Sequence, residues 1–168
     1  MDANLSALPH WPEAAAAQLQ ALMRRHAHSA AYAVFDADNT TYQHDLVGAL
    51  LPFMEMRGVL TRDTLNPALQ LIPFKDQGSQ RESLFAYYLR LGEIDDQVGY
   101  PWAAQVFSGF TLRELKGHVD AMLALDTPIP ALMWVGEALR DVDVPVPRML
   151  AGQQALYQAL MQQGIEVY

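Results

Sequence analysis

The segment that most restricts the fold is Ala30 to Phe35, a short apolar run containing Tyr32, Val34 and Phe35 that ends directly in Asp36. Its apolar continuity predicts a buried strand of a parallel sheet rather than an alternating, half-solvated one. The charges begin at its carboxyl end, in Asp36-Ala37-Asp38-Asn39-Thr40. In open α/β sheets that end is where ligands bind. One short segment thus points both to an α/β fold and to a chemically active loop.

Around this segment the period of the apolar residues changes. Pro12 suits a first helical position, and Ala15, Leu19, Leu22, Met23 and His26 recur at helical spacing, predicting a helix to about His26. From Asp45 to Arg148 the pattern is helical, broken into short helices by start and stop signals. Asp45 can cap a helix through Leu50, Leu51, Phe53 and Met54 that stops at Gly58. Ser79 with Glu82, and Thr111 with Glu114, have the spacing of capping boxes. Pro128, Pro130, Pro145 and Pro147 mark an extended return. Ala155, Leu156, Ala159 and Leu160 then form a last helical face closed by Gly164, and Ile165 to Tyr168 begins a second apolar strand. The expected organisation is one unit from residues 1–44 and 149–168, with 45–148 inserted as a helical domain.

Composition limits the chemistry. Eleven Lys and Arg against 19 Asp and Glu give a net charge of −8, which argues against a nucleic-acid partner. An anionic small substrate would meet the same repulsion, and a bound divalent cation is the simplest local remedy. The absence of cysteine excludes disulfides, thiolate metal sites and thiol nucleophiles. Ala14 to Ala17 has flanking Glu13 and Gln18 and no preceding basic region, so it reads as helix rather than as a signal sequence. No apolar stretch approaches the roughly twenty residues that span a bilayer.

Two carboxylates one residue apart at a strand end can take different jobs if their surroundings separate their proton affinities. Asp36 could attack a phosphorus atom while Asp38 donates a proton to the leaving alkoxide and later activates water. Mg²⁺ would offset the repulsion between carboxylate and phosphate. Asn39 and Thr40 offer short polar side chains to pin the loop and orient Asp38. The competing reading is a pair of solvated turn residues or helix caps, since turns use Asp freely.

The run Val34-Phe35-Asp36-Ala37-Asp38-Asn39-Thr40, between a strand and a helix, resembles the first motif of the haloacid dehalogenase superfamily. The resemblance implies an incomplete Rossmann-like core, comprising the first strand and the start of the second, with a large inserted helical cap. It implies Asp36 as nucleophile and magnesium ligand, Asp38 as general acid and base with its main-chain carbonyl on the metal, and Thr40 as an orienting residue. Arg57 to Thr64, Leu71 to Asp76 and Phe110 to Gly117 are similar to bacterial members that act on phosphorylcholine. The superfamily's later motifs, a Ser or Thr, a Lys and further acidic residues, would fall beyond Tyr168. On that reading the chain alone is close to inactive and prone to self-association through an uncovered core. Lys75 and Lys116 belong to the helical segment and do not fill the place of the missing Lys. The resemblance implies a periplasmic location if a signal peptide was removed, and a cytoplasmic one otherwise.

A quaternary ammonium is best held by aromatic faces beside a carboxylate. Phe74, Glu82, Phe85, Tyr87, Tyr88, Tyr100 and Trp102 supply such groups, and Asn39, Phe74, Glu82, Tyr87, Tyr88 and Trp102 are the candidate substrate contacts. The opposing reading is helix packing, because Phe85 and Tyr88 share one helical face. His26 and His28 flank a helix end, His44 is a loop residue, and Asp95 and Asp96 read as helix cap or solvated acids. Two rivals to the phosphorylcholine reading stay open: a noncatalytic ligand-binding or assembly fragment, and a related phosphatase for another ester such as phosphoserine.

Overall fold

The computed structural model describes residues 8–168. In chain order the elements are α1 (Glu13–His26), β1 (Tyr32–Ala33), β2 (Tyr42–Gln43), α2 (Leu46–Met56), α3 (Leu84–Ile94), α4 (Asp96–Val106), α5 (Leu112–Leu123), β3 (Ile129–Val135), β4 (Ala138–Val144), β5 (Arg148–Met149), α6 (Ala151–Gln162) and β6 (Glu166–Val167). A 3₁₀ turn spans Pro67–Leu69. The fold is mixed α/β. Its described residues form two compact units, one reaching Asp45 and resuming at Arg148–Tyr168, the other Leu46–Pro147.

In the first unit, Pro12 takes the N-cap position of α1, with Glu13 in the first turn and Arg24, Arg25 and His26 in the last. That charge order complements the helix dipole. β1 and β6 pair in parallel, Tyr32 opposite Glu166 and Ala33 opposite Val167. The core is Met23 of α1, Leu156, Ala159 and Leu160 of α6, Leu8 and Ile165, with Phe35 and Val167 packed against it. The expectation of a fully buried strand is corrected here. Tyr32 and Val34 are 67% and 69% exposed, because a two-stranded sheet with α1 and α6 packed on it covers only one side of each strand. β2 and β5 make a second short pairing, antiparallel, which the sequence pattern did not indicate.

The second unit is largely helical, with a core of Leu51, Phe53 and Met54 from α2, Leu84, Tyr87 and Leu91 from α3, Trp102 from α4 and Met122 from α5. The extended return is a regular antiparallel hairpin, with Ile129 opposite Val144 and Val135 opposite Ala138; Pro128, Pro145 and Pro147 lie outside its strands, and Pro130 sits near the start of β3, opposite Asp143. One sequence expectation needs correction. The Ser79–Glu82 box does not form. Ser83 caps α3, accepting from the N–H of Ala86, and Glu82 is drawn into a buried ion pair with Arg90. The Thr111–Glu114 box ahead of α5 forms with both reciprocal bonds. Asp95 caps α4 through the N–H of Gln97.

Candidate active site

The loop leaving β1 is organised by its own side chains. The Thr40 hydroxyl donates to Oδ2 of Asp36 at 3.2 Å, and the Thr41 hydroxyl donates to the Asp36 carbonyl at 2.8 Å. The N–H groups of Thr41 and Tyr42 both donate to the Ala37 carbonyl at 2.9 Å, closing a tight turn around Asp38. Asn39 has φ 57°, a left-handed conformation that Asn tolerates better than most residues. Its Oδ1 accepts the His44 N–H at 3.1 Å. Asp36 is exposed and Asp38 half-buried. Thr40 thus restrains the Asp36 carboxylate, and Asn39 pins the loop.

The last helix supplies a second set of restraints. Gln153 Nε2 donates to the Thr40 carbonyl at 2.8 Å, and the Leu150 N–H donates to the Thr41 carbonyl at 2.9 Å. The Tyr157 hydroxyl bonds that of Thr41, and its ring lies 4.7 Å from that of Phe35, centroid to centroid. Thr41, Gln153 and Tyr157 were not candidates from the sequence. No local signal marks them, since Gln153 and Tyr157 act on a loop more than a hundred residues earlier in the chain.

Among the described residues no group of three or more His, Cys, Asp or Glu side chains converges. Asp36 and Asp38 offer two carboxylates, and Gln153 Oε1 is a buried oxygen without a hydrogen-bond partner behind the same loop. This donor set is entirely oxygen, which fits a hard cation such as Mg²⁺, an ion that is bound through one or two carboxylates and keeps several waters.

The aromatic candidates do come together, as packing. Ring centroids are 4.6 Å apart for Phe74 and Tyr87, 5.5 Å for Tyr87 and Trp102, and 6.1 Å for Tyr88 and Trp102. The Tyr87 hydroxyl exchanges hydrogen bonds with the backbone of Ile72, and Trp102 Nε1 donates to the Leu69 carbonyl at 2.8 Å. Tyr87, Tyr88 and Trp102 are buried with Phe85, whereas Tyr100 is exposed. Phe74 is half-buried, with the Arg62 guanidinium 4.0 Å from its ring centroid.

Glu82 is 1% exposed. It accepts from Arg90 Nε and Nη2 at 2.8 and 2.7 Å, from the Lys75 N–H at 2.7 Å and from Trp134 Nε1 at 2.7 Å. This pairing raises the Arg90 pKa further. Glu55, another residue the sequence did not mark, accepts the N–H groups of Leu84 and Phe85 at 2.6 and 3.0 Å. Burial pushes its carboxyl above the usual range, and those two bonds act against the shift. Lys75 pairs with Glu137 and Lys116 with Asp120.

A mixed α/β fold that delivers two carboxylates from the end of a parallel strand is thus the class to which the chain belongs. The fold matches a crystal structure of a conserved protein of unknown function from Anaerococcus prevotii, with a TM-score of 0.60 and 17% identity, over 100% of this chain and 62% of that one. In sequence the chain is 60% identical, over 166 residues, to the phosphorylcholine phosphatase of Pseudomonas aeruginosa. The match takes in 99% of this chain and 48% of the relative, so the chain spans about half the relative's length. No family model matches. Among the described residues no helix is long and apolar enough to cross a membrane.

Proposed function

We propose that this chain carries the nucleophile and the general acid of a phosphomonoester hydrolase of the haloacid dehalogenase type, acting on phosphorylcholine. In this reading the first unit is the beginning of a Rossmann-like core and Leu46–Pro147 is its cap. The observation that carries it is the bond from Thr40 to Asp36, which aims an exposed carboxylate from the carboxyl end of β1 while leaving its second oxygen to attack.

The Asp36 carboxylate attacks phosphorus, forming the aspartyl phosphate as the bond to the choline oxygen breaks. Asp38 gives the departing alkoxide its proton. Asp38, now a carboxylate, takes a proton from water, whose oxygen attacks phosphorus; phosphate leaves and Asp36 is regenerated. Asp36 and the Asp38 main-chain carbonyl would hold Mg²⁺, which neutralises charge on the phosphoryl group when bound. Asn39, Gln153 and Tyr157 keep the loop from drifting between the two steps. The 60% identity to a phosphorylcholine phosphatase supports the choice of substrate.

The test is a chimera joining this chain to the second half of the P. aeruginosa relative. It is expected to release phosphate from phosphorylcholine, and Asp36→Asn should lower kcat by at least about a thousandfold, as for a lost covalent nucleophile. Turnover indifferent to Asp36 would refute the assignment.

A further inference from the structure

The second unit presents an aromatic face built for a cation outside the candidate set. Trp134, on β3, donates its indole N–H to Glu82 Oε1 at 2.7 Å. Glu82 is held in turn by Arg90, so the ring is pinned at its N–H edge. Gln77 fastens the neighbouring turn, donating to the Glu137 carbonyl at 3.0 Å and accepting the Leu139 N–H at 2.9 Å. Over this ring lies Lys75, its Nζ 4.3 Å from the centroid and 3.0 Å from Glu137 Oε2. A fixed indole, a cation on its face and a carboxylate at its rim make up an ammonium receptor whose occupant is tethered to the chain.

We propose that the Trp134 face binds an organic ammonium cation, which displaces the Lys75 ammonium and takes Glu137 as counter-ion. The choice of a quaternary ammonium rests on the phosphorylcholine reading above. The Lys75 and Glu137 side chains are 44% and 92% exposed, and ion pairs in such solvent contribute little. A lysine ammonium is also strongly hydrated, so leaving the ring for water costs it little. A quaternary ammonium forms no N–H hydrogen bonds to water and interacts well with an indole face. The neighbouring pair differs. Arg62 over Phe74 is also bonded to Asp76, with side chains 22% and 42% exposed, and Asp76 accepts the Glu82 N–H. That contact is part of the fold, whereas Lys75 is free to swing away.

The test titrates tetramethylammonium chloride into the whole chain and follows the indole N–H resonances, with sodium chloride at equal ionic strength as control. Saturable movement of the Trp134 resonance is expected, with those of Trp11 and Trp102 still. Lys75→Met should tighten binding about two- to fivefold by emptying the ring, since an exposed cation–π contact is worth about 0.5–1 kcal/mol. Glu137→Gln should weaken binding. Trp134→Leu should abolish it, read from the broadening of the ligand's methyl signal. A shift reproduced by sodium chloride, Lys75→Met binding no tighter than the parent, or undiminished binding in Trp134→Leu would each overturn the site. Lys75→Met removes no bond to Glu82, because Lys75 reaches Glu82 through its main-chain N–H, so it tests the site in an intact fold. Hydrolysis of p-nitrophenyl phosphate by the chimera, a substrate without an ammonium, tests the phosphatase reading separately.

Discussion

Tyr157 and Thr41 share a hydroxyl–hydroxyl hydrogen bond across 116 positions of chain, and through it α6 holds the loop that carries Asp36. The Thr41 hydroxyl also contacts the Asp36 carbonyl, so the tie ends one bond from the proposed nucleophile. Tyr157→Phe keeps the ring against Phe35 and removes only the tie. It should lower stability by about 1 kcal/mol, the net value of one hydrogen bond, measured by urea unfolding. In the chimera it should reduce kcat about tenfold with KM unchanged, as expected for lost alignment in the transition state. A variant equal to its parent in both measurements would show that the tie positions nothing.

Glu82 and Arg90 form the most enclosed ion pair of the second unit, with side chains 0% and 21% exposed. Removing the carboxylate takes two bonds from the guanidinium, leaving it the Pro73 carbonyl, and takes the acceptor from the Trp134 N–H. Glu82→Ala should therefore cost about 3–5 kcal/mol, the range for breaking a buried pair on one side. Glu82→Gln, which keeps the shape and one acceptor, should cost distinctly less. Tryptophan fluorescence during urea unfolding gives both values. Equal midpoints for the two variants would mean that the loss comes from the charge alone and that the shape and acceptor kept by Gln contribute nothing.

These two sites also show where sequence reading succeeds and fails. The turn that carries Asp36 and Asp38 was legible because strand, carboxylates and turn residues lie within one short segment. The Thr111–Glu114 box was legible for the same reason. Ser79 and Glu82 have the same spacing, yet tertiary pairing with Arg90 overrides it. The β3–β4 hairpin was missed because four prolines mask its strands and its ladder pairs Leu132 with Asp141, a pairing without a clear apolar alternation. Tyr87, Tyr88 and Trp102 fit either a ligand cage or a core by spacing. Only their burial and backbone bonds distinguish the two.

Glu55 gives stability an unusual pH dependence. Burial raises its folded pKa above the ordinary 4.5, so the folded chain holds the proton more tightly than the unfolded one. Its contribution is complete below that ordinary value and is lost as pH rises through the raised one. Asp63, Asp76 and Glu114 are shifted down, chiefly by hydrogen bonds from Arg81, Arg62 and Thr111 respectively. Their contributions are present above their ordinary values of 3.8, 3.8 and 4.5 and are lost as pH falls. Glu55→Gln should remove only the loss above 4.5. Stability measured from about pH 4 to pH 8 should change in the variant's favour, relative to the parent, as pH rises, then level off. A difference independent of pH would rule out Glu55 as its source.

Gly152, the second residue of α6, is fixed by Trp11 rather than by helix propensity. The indole Nε1 donates to the Gly152 carbonyl at 2.9 Å, and a Cβ at this position would lie 2.6 Å from that nitrogen and 3.0 Å from Cδ1. In an exposed helix interior, Gly→Ala gains about 1 kcal/mol, and less in a first turn. Here the indole must move, giving up a hydrogen bond of about 1 kcal/mol and disturbing packing by about 1–3 kcal/mol. The losses win, so Gly152→Ala should destabilise the chain by about 1–3 kcal/mol. The same substitution made in a Trp11→Ala background has nothing to collide with, and there it should stabilise. Thermal unfolding of the four proteins in this double-mutant cycle gives the coupling directly. The same sign in both backgrounds would show that the indole does not hold this position.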